Sequence, residues 1–303
     1  MSLRAFVLNH LLKLAERPRL ARGTPEELRS SVEARARVMF RPSPDTDVRD
    51  IVLGDLPALR VADREADPSK VIYYIHGGAF VFASPSVYRA MLGRLSALTG
   101  WEAVLPNYRK APEHPFPAAA DDVRAGWEAL LSRGHQPGDI VVGGDSAGGN
   151  LALVMLADLV ADGAQLPRGV FALSPVTDLT YSSPSVQENA ARDSILPAER
   201  AIELRQMYLQ GHDPEDPRAS PIGGRFQGAP PVFIAASTTE MLRDDGLRMV
   251  DHLEQADVNV TLHTGDGLPH VWPLFRPFIP EAEHTLQRIA KWITALPETT
   301  DES

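Results

Sequence analysis

Cysteine is absent from all 303 residues. Neither disulfides nor thiolate metal sites can form, which excludes a disulfide-framed secreted domain. Also missing is any run near the roughly 18 uninterrupted apolar residues that a membrane span needs. Residues 1–16 are apolar in part, but Asn9, His10 and Lys13 interrupt them, so the continuous core of a signal peptide is lacking. No H-E-x-x-H, no phosphate-binding G-x-x-x-x-G-K and no dinucleotide fingerprint occurs, and no internal repeat or low-complexity tract. Positive charge is in deficit, 30 Lys and Arg against 40 Asp and Glu, for a net charge of -10. That balance argues against nucleic acid or an anionic membrane as the main partner. A soluble, cytoplasmic protein is expected.

What is present is ordinary in amount and patterned in order. With 44% hydrophobic residues the chain can bury a large core, usually as one α/β domain with insertions. Leu3, Phe6, Val7, Leu11 and Leu14 share a face at helical spacing, and Thr24-Pro25-Glu26-Glu27 reads as a capping box opening a second helix towards Phe40. For the first segment a covering helix is the commoner use of such a face, with a membrane-surface helix as the alternative. Residues 48–53 and 58–62 read as a hairpin-like pair at a sheet edge. Then buried strands at 71–75, 102–106, 169–174 and 232–236, one just before residue 146, and one at 258–262 alternate with helical runs. This alternation predicts a mostly parallel sheet covered on both faces. Between 176 and 226 the pattern breaks into Pro- and Ser-rich sequence around one helical run at 197–210, the mark of a lid inserted between two strands.

The chemistry centres on Gly144-Asp145-Ser146-Ala147-Gly148, a G-x-S-x-G between a short apolar strand and an apolar helix. Such a spacing suits a serine on a sharp strand-to-helix turn, because only residues without side chains two positions either side let strand and helix pack so closely. The turn lifts the Ser146 hydroxyl and aims a helix N-terminus at it. A serine needs a base, an orienting group for that base, and donors for the oxyanion. His76-Gly77-Gly78 follows a strand end, where backbone amides can approach a carbonyl, and the amide of Ala147 would complete the hole. Of nine histidines, His270 stands in a loop between the last strand and the last helix, where the order serine, acid, histidine puts the base. Glu240-Met241-Leu242-Arg243-Asp244-Asp245 supplies the acid: Asp244 and Asp245 fall at a helix N-terminus, where capping suffices to explain them, so Glu240 is preferred and Asp244 is the fallback.

Together with Asn107-Tyr108-Arg109-Lys110-Ala111-Pro112-Glu113-His114-Pro115-Phe116-Pro117-Ala118 and Leu268-Pro269-His270, these motifs make the chain resemble the hormone-sensitive-lipase-like branch of the α/β-hydrolases, the bacterial carboxylesterases, over roughly residues 48–295. The resemblance implies an α/β-hydrolase fold with a helical cap, Ser146 as nucleophile, His270 as base, Glu240 as acid and Gly77, Gly78 and Ala147 as oxyanion donors. It divides the chain into cap helices at 1–45, a catalytic α/β domain at 46–177 and 227–297, a cap insertion at 178–226, and a disordered tail at 298–303. Two positions depart from the commonest pattern: Ala79 stands for a third glycine, and Glu240 for the usual aspartate.

The expectation is a serine carboxylesterase of short acyl esters, working through an acyl-enzyme and needing no metal or cofactor. Its partner is a small-molecule ester, with a homodimer possible through an exposed edge strand. Phe80, Phe82, Trp272 and Phe275 are candidates for pocket walls, and equally for plain core. Lactone or carbamate hydrolysis would use the same residues, and a ligand-binding protein on the same scaffold is the non-enzymatic alternative.

Overall fold

The computed structural model describes residues 1–297; the tail expected at 298–303 lies outside the described residues. Eight strands form one sheet: β1 Thr46–Leu53, β2 Leu56–Asp63, β3 Asp67–Ile75, β4 Trp101–Pro106, β5 Ile140–Asp145, β6 Gly169–Leu173, β7 Val232–Ser237 and β8 Val260–Gly265, in the order β1-β2-β4-β3-β5-β6-β7-β8. The first two pair antiparallel at one edge, β2 meets β4 antiparallel, and all pairings from β4 through β3 to β8 are parallel. The last strand starts two residues later than its apolar pattern suggests, because the ladder sets Val260 opposite Val232.

Helices α1 Leu3–Leu11, α2 Arg17–Arg22 and α3 Pro25–Met39 precede the sheet, and α4 Arg89–Thr99, α5 Ala118–Ser132 and α6 Ala147–Ala161 alternate with its strands. The 58-residue insertion between Leu173 and Val232 carries α7 Ser185–Glu188 and α8 Ala198–Leu209, and α9 Arg243–Gln255 and α10 Pro280–Ala295 complete the set. Alternation along β3 shows why the layers form. Val71, Tyr73 and Ile75 enter one core with α5, α6 and α9, while Ile72 and Tyr74 enter the other with α4 and α10. Successive side chains on a strand point to opposite faces, so a continuous apolar run serves two layers at once.

The N-terminal segment needs a correction. The capping box at Thr24 forms, with Glu27 N–H donating to Thr24 Oγ1 at 3.3 Å and Thr24 N–H donating to Glu27 Oε2 at 3.0 Å. The apolar stripe of Leu3, Phe6, Val7, Leu11 and Leu14, however, faces outward and is exposed. The helix packs instead through Ala5 and Leu8, on its opposite side, followed by Leu12 in a π-turn at Leu12–Glu16. Asn9 Nδ2 fixes that orientation by donating to Gly267 O at 2.7 Å.

Candidate active site

Ser146 sits between β5 and α6 with φ +52° and ψ -119°, a strained conformation for a residue with a side chain. The glycines around it make the corner possible. A Cβ at Gly144 would collide with Gly148 O, and one at Gly148 would collide with Ile75 O and His76 O, all backbone atoms that cannot swing away. Ser146 N–H donates to Leu173 O at 2.9 Å, fixing the corner to the next strand.

On the loop after β8, His270 is buried, and its Nδ1 lies 2.6 Å from Glu240 Oε2. A carboxylate only accepts, so Nδ1 carries the proton and Nε2 keeps its lone pair. The other carboxylate oxygen, Oε1, accepts from Ser237 N–H at 2.6 Å, which locks the Glu240 side chain at the end of β7. The histidine loop is pinned on both sides: Ser237 Oγ donates to Leu268 O at 2.6 Å, and Val271 N–H donates to Ser174 Oγ at 3.2 Å. Burial works against a charged imidazole, but the hydrogen bond to Glu240, then the charges of Glu240, Asp193 and Asp145, hold its pKa above the usual value. Ser146 and His270 line the same cavity; among the described residues no hydrogen bond joins them, and such bonds commonly tighten only with substrate in place. Asp244 is turned elsewhere, towards Arg243 and the amide of Ser185.

The amide of Gly77 is engaged within the protein. Gly77 N–H donates to Asp145 Oδ1 and to Tyr88 Oη, each at 3.0 Å. Asp145 is the hub of this tether, accepting also from Tyr74 Oη and Tyr88 Oη at 3.0 Å each. Burial raises its pKa to about 6, against the pull of these donors. Gly78, Ala79 and Ala147, by contrast, line the cavity beside Ser146. His76 is no base: burial holds its pKa well below the ordinary value, its Nδ1 donates to Gly77 O at 2.7 Å, and its ring stacks on Tyr108 at 4.3 Å.

Sequence reasoning did not anticipate how the insertion grips the backbone at Glu240 and Met241. Asn189 Nδ2 donates to Glu240 O at 2.9 Å, Met241 N–H donates to Asp193 Oδ2 at 2.9 Å, and Ser185 Oγ donates to Met241 O at 2.7 Å. Nothing in a Ser/Asn/Asp-rich stretch distinguishes such contacts from loop polarity.

A cavity of about 220 Å³ surrounds the serine and is mainly apolar. Its walls come from the N-terminal segment (Leu12, Leu20, Val32), the loop after β3 (Phe80, Phe82), the insertion (Leu179, Leu204) and Phe275. Trp272 is core rather than wall, its Nε1 donating to Thr285 Oγ1 at 2.9 Å. Arg29 fastens α3 here, donating to Val81 O, Ala111 O and Glu113.

Residues 72–274 match the family model described as alpha/beta hydrolase fold. The chain is similar to an esterase of Acinetobacter venetianus, 34% identical over 273 residues, covering 90% of this chain and 89% of that one. An acetyl-hydrolase of Streptomyces hygroscopicus is 33% identical over 218 residues, 72% of this chain and 73% of that protein. Among solved structures, an esterase from the bacterial hormone-sensitive lipase family superposes with TM-score 0.93 at 31% identity, covering 98% of this chain and 99% of that chain.

Proposed function

The chain belongs to the alpha/beta hydrolase fold family, in its hormone-sensitive-lipase-like branch, and is a carboxylic ester hydrolase; from this premise we propose a serine esterase of short acyl esters acting through Ser146, His270 and Glu240. The observation that carries the reading is the 2.6 Å contact from Glu240 to His270, whose ring shares a cavity with a serine held at φ +52°.

In this scheme Ser146 Oγ attacks the ester carbonyl while His270 Nε2 takes its proton, and Glu240 holds the ring in the tautomer that leaves Nε2 free. The amides of Gly78, Ala79 and Ala147 receive the oxyanion, Ala79 taking the role expected of Gly77. Losing one such donor typically costs about 10²–10³-fold in kcat. His270 then protonates the departing alcohol and activates the water that releases the acid from Ser146. Residues 1–45 and 178–226 act together as the cap, since both supply cavity walls.

The cavity volume supports short acyl groups, because about 220 Å³ is below the ~300–1,000 Å³ of pockets for drug-sized ligands. The acetyl-hydrolase among the relatives agrees with this. The edge strand β8 leaves pairing across a dimer open to it. Among the described residues no helix is long and apolar enough to cross a membrane.

The test is fluorophosphonate labelling with mapping of the modified residue, alongside rates on p-nitrophenyl acetate, butyrate and decanoate and on lactones. Labelling of Ser146, with butyrate turned over and lost in Ser146→Ala, is expected. Turnover of lactones alone would replace the ester reading, and undiminished hydrolysis in Ser146→Ala would remove the serine mechanism.

A further inference from the structure

We propose that the outward face of α1 and the turn after it docks on an anionic phospholipid surface, with the cavity roof held against the membrane. Leu3 is 78% and Leu14 74% exposed, and Phe6, Val7 and Leu11 are each about half exposed. Five large apolar side chains on one side of one short segment form a patch of the kind that marks an interaction surface rather than scattered exposure.

The flanks say what covers the face. Arg4 follows Leu3 at the start of the stripe and Lys13 precedes Leu14 at its end, and both are exposed. Residues 1–22 carry five basic residues (Arg4, Lys13, Arg17, Arg19, Arg22) against one acidic residue, Glu16, which Arg35 already engages. Lys13 and Arg17 donate to the backbone carbonyls of Ala191 and Ala190, so their charges stay unneutralised. The net charge of -10 for the whole chain hides this local excess, and acidic residues further than about 8–10 Å away are screened at physiological salt. An apolar stripe bordered by Arg and Lys is the pattern of a helix lying in a bilayer interface. A second copy of the chain fits less well, because a two-fold interface would set this basic-edged face against itself.

The placement joins docking to chemistry. Leu12, Glu16 and Leu20 of the same segment line the cavity that holds Ser146, on the side away from the stripe. A docked molecule would therefore keep its cavity roof at the lipid boundary, where apolar esters concentrate. Phe6 and Leu14 do not line the cavity, so they can be changed without touching the site.

The experiment is co-sedimentation with vesicles of phosphatidylglycerol and phosphatidylcholine, and with phosphatidylcholine alone, at low and physiological salt. Binding to the anionic vesicles that weakens with salt and falls about tenfold or more in Phe6→Glu/Leu14→Glu, with p-nitrophenyl acetate hydrolysis unchanged, supports the proposal. Ser146→Ala should bind like the parent, which separates docking from the esterase reading. No binding to anionic vesicles at low salt overturns the proposal, as does equal, salt-independent binding to both lipids. A dimer that the double variant dissolves, without vesicle binding, assigns the face to self-association instead.

Discussion

Replacing Glu240 with glutamine changes one oxygen to nitrogen, and the geometry fixes which one. Oε1 accepts from Ser237 N–H at 2.6 Å, so an amide placed there must keep its carbonyl oxygen towards Ser237. Its NH2 group then faces His270 Nδ1, which lies 2.6 Å from Oε2 in the parent. Two donors cannot share that contact, so the ring moves its proton to Nε2, the nitrogen that must be bare to receive the proton of Ser146. In serine hydrolases of the same logic this tautomer swap costs about 10⁴-fold in kcat, or about 5.4 kcal/mol at ~1.36 kcal/mol per decade. Glu240→Asp, one methylene shorter, cannot span from Ser237 to His270 and should fall between the parent and the glutamine variant. Asp244→Asn is the control: its carboxylate serves Arg243 and Ser185, so kcat should stay within about threefold. Initial rates on p-nitrophenyl butyrate, with active sites counted by fluorophosphonate titration, give these numbers. Glu240→Gln retaining activity within about tenfold of the parent, or Asp244→Asn losing more, would refute the assignment of the acid.

Other outcomes follow from the same contacts. Because the pKa of His270 is raised, the base is protonated over more of the acid range, so kcat/KM should fall as pH drops through a midpoint above the ordinary imidazole value. Asp193→Asn removes one of the charges that raise it, and a pH–rate profile should show that midpoint moving down. Gly148→Ala drives a methyl group into the carbonyls of Ile75 and His76; a loss of about 1–3 kcal/mol or more should appear as a lower Tm with activity reduced in parallel. Leu204→Trp fills part of the cavity, and the ratio of butyrate to acetate turnover should drop while fluorophosphonate labelling of Ser146 persists.

Reading the chain alone located the sheet well. Continuous apolar runs such as residues 71–75 suit strands buried on both faces, and the edge pair was legible at residues 48–53 and 58–62. The N-terminal stripe shows where periodicity stops: it reveals that a helix has an apolar side, not whether that side meets protein. Here a smaller side, Ala5 and Leu8, packs, and the stripe is left outside. Gly77 shows the same limit in the candidate site. Two glycines after a strand promise available amides, yet one of them is claimed by Asp145, a residue 68 positions later in the chain.

What the sequence determined by itself is local: the strained corner at Ser146 follows from glycines two residues either side, and the strand and helix periods follow from side-chain order. Which amide remains free, which carboxylate reaches His270, and which face of α1 is left bare were decided by tertiary structure. Each is a competition for hydrogen bonds or contact area between segments far apart in the chain, and short-range pattern carries no record of who else arrives.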